Sequence, residues 1–372
     1  MGSSSQTPRF AALDGYRFFA ATGVVLFHFD MDFHLGLAKM VPAVAHLSTM
    51  VDFFFMLSGF VIAIGYMDKV LCWDDYRRFL RTRLARVYPL HLATLLVSLV
   101  FVGIGVALRL RANHPEIIAI SGLPANLLLI HAWGVLNHPS FNVPSWSISA
   151  EWFVYLAAPL FFALARRAPL LINSLLIALF IYAMIVIRHY AKLGDWLDAT
   201  FDFGMLRAVP TFFAGVMLAY ALKRKVIARI LPWWSVHTVF ILSILLLGFD
   251  FPREFVLVLF AFLIMSAALA DQGGAPSIMK GRLLSSLGQS SYGLYMLHVL
   301  LSLPVLLMLR RLHLIDTYWS LIAALMVYVA AIMLSLASYR FFEIPIRKWL
   351  TGSHASPVRS GAEVVKTGLH SG

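Results

Sequence analysis

The chain has 372 residues, 60% of them hydrophobic and only 13% charged, with a mean hydropathy of +0.82. An ordinary soluble domain is about half apolar and about a quarter charged, so a water-soluble fold is excluded and a lipid bilayer is the expected solvent. The formal net charge is +12, yet no basic tract interleaved with aromatics stands outside the apolar runs, so nucleic acid is not an expected partner. The single cysteine, Cys72, rules out an intrachain disulfide and a zinc site built on several cysteines, and no metal site is expected.

In chain order, Met1 to Pro8 is polar and lacks the apolar core of a cleavable signal, and Gln6 breaks the myristoylation pattern. Ten apolar runs of membrane-spanning character follow, near 11–30, 47–67, 88–108, 147–165, 170–188, 205–222, 234–249, 254–270, 287–309 and 318–340. The two from 234 to 270 are short and close together. A further apolar piece, 117–130, is broken by Gly122 and Pro124 and reads as re-entrant or interfacial. The runs are apolar on all sides, as lipid-facing helices are, and no internal repeat favours an inverted-repeat transporter. The expectation is an all-α, polytopic bundle of about ten spans over 1–350, with a polar, Gly/Ser-rich, disordered tail over 351–372.

Lysine and arginine set the orientation. With the N-terminus inside, twenty of the 30 fall in inside segments, eight in outside segments, and Arg17 and Arg207 within spans. The tail and the N-terminus are therefore expected in the cytosol, which an even number of spans allows.

Charge at membrane depth is costly and marks a candidate site. Arg17 and His28 lie eleven residues apart on the first span. Eleven steps of about 100° return to within roughly 20° of the start, with a rise of about 16 Å. Both therefore face one way, Arg17 near the cytosolic end and His28 well above it. Snorkelling accounts for Arg17 and an interhelical polar contact for His28 if neither has a chemical role. Ahead of the third span, Arg83 and Arg86 share a helical face where a cytosolic anion would meet the membrane. The guanidinium fork suits phosphate, although positive-inside bias or anionic lipid explains the same cluster. On the fourth span, Ser147 and Glu151 are i,i+4. The carboxylate is placed to orient a histidine, or else merely complements a helix N-terminus. Towards the end, His298 is buried by context, and Glu343 sits beside Arg340 and Arg347, where structural ion pairing is the plain account.

Taken together, these segments resemble the acyltransferase 3 family. The matches run in order: LDGYR at Leu13–Arg17 with the ten-residue gap to His28, VDFFFMLSGF at Val51–Phe60, RLAR at Arg83–Arg86, SWSISAE at Ser145–Glu151, SYGLYMLH at Ser291–His298 and YRFFEIP at Tyr339–Pro345. Departures are small: Tyr16 stands where Leu is usual, and Ile344 precedes Pro345 where members often show Glu–Arg–Pro. The motifs also single out Asp14, Ser58, Asn142, Trp146, Ser147, Tyr292, His298 and Glu343.

The resemblance implies an inner-membrane O-acyltransferase with no bound cofactor. Acetyl-CoA, or another acyl-CoA, is the cytosolic co-substrate, and a hydroxyl of a glycan or glycolipid outside the cytosol is the acceptor, an exopolysaccharide or O-antigen. In that reading Arg83, Arg86 and Arg17 hold the donor's phosphates. His28 is the general base, Arg17 assists at the site, and Glu151 orients the imidazole. Longer members carry a fused esterase-like domain, so a serine-nucleophile step on such a domain is not expected here. The rival class is a lipid-linked glycan flippase or secondary transporter, which moves its substrate without covalent change.

Overall fold

The structure is a computed structural model that describes residues 10–109, 115–226, 233–249 and 251–352. The tail beyond 352, and Arg9, Arg111, Arg229, Arg359 and Lys366 of the charge count, lie outside the described residues.

Among the described residues every regular element is helical. Ten long helices fall on the ten apolar runs: α1 Ala11–Asp32, α2 Met50–Tyr66, α3 Trp73–Ala107, α4 Trp146–Arg167, α5 Leu170–Ala191, α6 Gly204–Lys223, α7 Trp233–Leu246, α8 Glu254–Gln272, α9 Ser291–Arg311 and α10 Tyr318–Ser338. Eight helices among the described residues are long and apolar enough to cross a membrane. The two that are not are α1 and α7. In α1, Asp14, Arg17, Asp30 and Asp32 dilute an otherwise apolar helix. Helix α7 has only 14 residues, short of the ~20 a bilayer asks for.

Helix α3 begins fifteen residues earlier than its apolar run. At 35 residues it is about 52 Å long, against a hydrocarbon thickness of about 30 Å. The arginine cluster is therefore on the same rigid helix as the apolar segment and is not a loop leading into it. The broken 117–130 piece forms short helical turns, Pro115–Ile118, Ile120–Gly122 and Leu123–Leu127. It is tied to the middle of α3: Tyr88 Oη donates to Leu127 O (3.1 Å), and His91 Nε2 lies 3.0 Å from Asn126 O.

Polar contacts gather alternate helix termini at one end. Arg166 donates to Met67 O (2.6 Å), Lys223 pairs with Asp68 (2.6 Å), Arg81 Nε donates to Leu350 O (2.8 Å), and Asp271 takes Lys280 (2.7 Å) and the Ala12 amide (3.0 Å). This is the basic end of the bundle. At the other end Arg253 pairs with Asp195 and Asp198, both at 2.7 Å. Burial pushes the Asp198 carboxyl up, but the hydrogen bonds and charge of Arg253 outweigh it and hold it below the usual range.

Helices α2 and α6 cross with their backbones nearly touching. A Cβ on Gly59 would lie 2.0 Å from Phe212 O, and one on Gly215 would lie 1.9 Å from Met56 O. Small residues that let backbones touch are a common route to packing in lipid, where no hydrophobic force drives helices together. Gly215→Ala is expected to push the two helices apart and destabilise the fold by about 1–3 kcal/mol. Detergent-titrated unfolding of the purified protein checks this; a variant as stable as the parent contradicts it.

Candidate active site

Helices α1, α2, α3, α4 and α9 enclose a cavity of about 110 Å³. On α2 its lining runs from Val51 to Ile62, eleven steps or about 16 Å of helix, so the space is a narrow slot. Each helix contributes one stripe: Arg17 from α1; Phe54, Phe55 and Ser58 from α2; Arg83, Arg86 and Val87 from α3; Ser147, Ile148, Glu151 and Tyr155 from α4; and Ser291, Tyr292 and Tyr295 from α9. The i, i+3/i+4 spacing of these sets is that of helical residues turned to one side.

Toward the basic end the slot is cationic. Arg83 donates from Nη2 to Tyr66 Oη (3.2 Å) and lies 5.0 Å from that ring's centroid, while its Nε is buried without a partner. Among the described residues, Arg17 and Arg86 make no ion pair within 4.0 Å and no side-chain hydrogen bond. Glu151 is the sole acid lining the slot. Its Oε1 accepts from Ser58 Oγ (2.7 Å) and from Tyr155 Oη. Three guanidiniums thus line the slot with one carboxylate that already has two hydroxyl donors, while Glu343 and Asp14 act on Arg86 and Arg17 by charge from outside the lining. Cations at membrane depth are costly, and an anionic ligand in the slot would relieve part of that cost.

The upper part is fixed by bonds between the Asn142–Ser147 segment and α9. Tyr295 Oη donates to Pro144 O (2.9 Å), and Asn142 Nδ2 to Met296 O (2.9 Å). Ser147 Oγ donates to Pro144 O (3.2 Å), and Tyr292 Oη to Val87 O (2.6 Å).

The two histidines meet each other. His28 Nδ1 lies 2.8 Å from His298 Nε2, and the rings are nearly parallel at 5.0 Å between centroids. Neither imidazole lines the slot. Tyr295, which does, has its ring 6.1 Å from that of His298 and forms the shared wall.

The structure therefore brings Arg17, Arg83, Arg86, Ser58, Ser147, Glu151 and Tyr292 together, as the motifs suggest. It does not place Glu151 against His28. The carboxylate is held at the height of Ser58 and Tyr155, and the imidazole's hydrogen-bond partner is His298. Glu343 lies in a π-helical turn, Tyr339–Glu343, and accepts from Ser338 Oγ (3.2 Å); it has no salt bridge within 4.0 Å among the described residues, yet Arg86, Arg347 and Arg17 act on its carboxyl by charge. Asp14 lies beside the slot on α1, where its carbonyl packs against Gly288. Trp146 faces away from the slot, with its ring 5.2 Å from the Arg207 guanidinium.

That contact exposes a feature sequence reasoning did not assign. Arg207 and Asp52 form an ion pair at 2.7 Å, with side-chain exposures of 1% and 0%. Arg207 Nη2 also donates to Ser48 O (3.2 Å). One acid and one base at membrane depth on separate runs were the available signal. Tyr66 and Tyr155, the partners of Arg83 and Glu151, carried none.

A membrane-embedded helical bundle with a cationic slot beside a buried imidazole pair is the class this geometry defines. The chain belongs to the acyltransferase family whose model, described as "Acyltransferase domain", matches residues 10–340. It is similar to the acyltransferase MdmB of Streptomyces mycarofaciens, with 36% identity over 169 residues, 43% of this chain and 41% of that protein. It is also similar to the O-acetyltransferase OatA of Staphylococcus aureus, with 24% identity over 379 aligned positions, 92% of this chain and 58% of the relative. A third likeness, 38% over 130 residues, is to protein 2 in the picA locus of Rhizobium radiobacter. The chain spans between two fifths and three fifths of the length of these relatives. No solved structure matches it.

Proposed function

We propose that the chain is an O-acyltransferase of the inner (plasma) membrane, with its basic end in the cytosol. It moves an acyl group, acetyl in the first instance, from acyl-CoA to a hydroxyl of an extracytoplasmic or lipid-linked glycan such as an exopolysaccharide or O-antigen. The observation that carries the reading is the slot: three arginines with no salt bridge within 4.0 Å among the described residues near one end, and an imidazole pair behind its wall about 16 Å higher on α1. Its lining runs about 16 Å along α2, a length that suits an extended pantetheine arm, so the phosphates stay at the arginine end while the thioester reaches upward.

In this reading Arg83, Arg86 and Arg17 hold the phosphates. The acceptor hydroxyl gives its proton to His28 as its oxygen attacks the thioester carbonyl. The C–O bond forms, the C–S bond breaks, and the thiolate leaves with the proton His28 returns. Glu151, locked by Ser58 and Tyr155, shapes the slot and balances part of the arginine charge instead of orienting His28.

Arg83→Ala and Arg86→Ala are each expected to raise the KM for acetyl-CoA about 10–100-fold, the worth of one charge-assisted hydrogen bond, with kcat changed far less. Unchanged KM in both variants would remove the arginines from donor binding. Mass spectrometry of surface glycans with and without the gene is expected to show a lost acetyl or longer acyl mass. A flippase or transporter predicts no covalent change and no affinity for acyl-CoA.

A further inference from the structure

His298 has no assigned part in the reaction, yet it is the hydrogen-bond partner of His28 across 270 residues of chain. It is fully buried. Its height on α9 is fixed two and three residues earlier by the Met296 carbonyl and the Tyr295 hydroxyl, both tied to the 142–144 segment. The ring therefore sits on a pinned stretch of helix.

Between His28 Nδ1 and His298 Nε2, 2.8 Å apart, there is room for one proton. A base acting through the outer Nε2 of His28 requires its Nδ1 to donate and His298 Nε2 to accept. The proton of His298 then sits on Nδ1, which is buried without a hydrogen-bond partner of its own.

We propose that His298 is a positioning residue that locks His28 in the tautomer whose Nε2 lone pair takes the proton of the acceptor hydroxyl. The proposal rests on the reading of His28 as the general base. When the hydroxyl proton moves to His28 Nε2, the Nδ1–H bond to His298 persists, and no proton leaves the pair until His28 returns its own to the departing thiolate. The arrangement does for His28 what a carboxylate does in a serine-hydrolase triad, and it does so without placing another charge at membrane depth.

The test uses the full-length chain in lipid nanodiscs, with radiolabelled acetyl-CoA and a surface-glycan extract from the producing cells as acceptor. His298→Leu is expected to lower kcat about 10²–10³-fold, with the KM for acetyl-CoA within about twofold of the parent. His298→Gln places a carbonyl oxygen near the position of the imidazole Nε2, and is expected to recover at least about tenfold of that loss. Nitrogen-15 spectra of histidine-labelled protein, assigned with His28→Ala, are expected to show His28 protonated at Nδ1. The proposal is overturned if His298→Leu turns over within about threefold of the parent, if folded His298→Gln is no better than the leucine variant, or if His28 Nδ1 carries no proton. Should the leucine variant fail to fold, the glutamine variant and the spectrum decide. A fully active His28→Ala sinks the base assignment itself; an inactive His28→Ala beside a fully active His298→Leu sinks the positioning role alone.

Discussion

Replacing His28 by alanine is expected to lower acyl transfer about 10²–10⁴-fold, the usual contribution of a positioned general base, while acyl-CoA binds as before. The separation of effects follows from the layout. His28 lies about 16 Å of helix above Arg17 and outside the slot lining, so deleting its ring leaves the arginines untouched. The variant should also fold, because His28 is only partly buried and its lost hydrogen bond leaves one ring atom of His298 to resatisfy. Binding of acetyl-CoA by calorimetry and turnover by release of CoA check the two halves. A variant that loses binding along with turnover would move His28 from the chemistry to the architecture.

Asp52→Ala is expected to be the most destabilising single change among the buried polar residues, by about 3–5 kcal/mol, because it strands a buried guanidinium. Arg207 is 1% exposed in its side chain, donates to Ser48 O, and lies 5.2 Å from the Trp146 ring. It therefore joins α2, α6 and the start of α4 at one point. Removing both charges together, as in Asp52→Leu with Arg207→Met, should cost much less than either alone, since a well-packed apolar pair can replace a buried ion pair. A double-mutant cycle on unfolding gives the coupling. Additive losses would show that the two side chains do not depend on each other.

Ten apolar runs, two of them short, predict ten helices, and the structure has helices at all of them because backbone groups in lipid must bond within their own segment. The same logic reads the arginines, Ser147 and Glu151 onto inward faces, since one helix's periodicity settles which residues share a side. It cannot settle the height of one helix against another, and one misplacement follows from that. Glu151 was matched with His28 because both faced inward, although Ser58 and Tyr155 meet the carboxylate and His298 meets the imidazole. The π turn at Tyr339–Glu343, which brings Glu343 to Ser338, was not legible, because it departs from the regular helical period on which sequence reading depends. The Asp52–Arg207 pair was legible only as two costly residues on separate runs.

The position of the arginines carries a thermodynamic corollary on the proposed reading. They hold the nucleotide end of the carrier on the side where it is made, and only the small group is handed over. Export of the group then needs neither an ion gradient nor ATP hydrolysis at the protein. The free energy released when the thioester is exchanged for an ester drives the step.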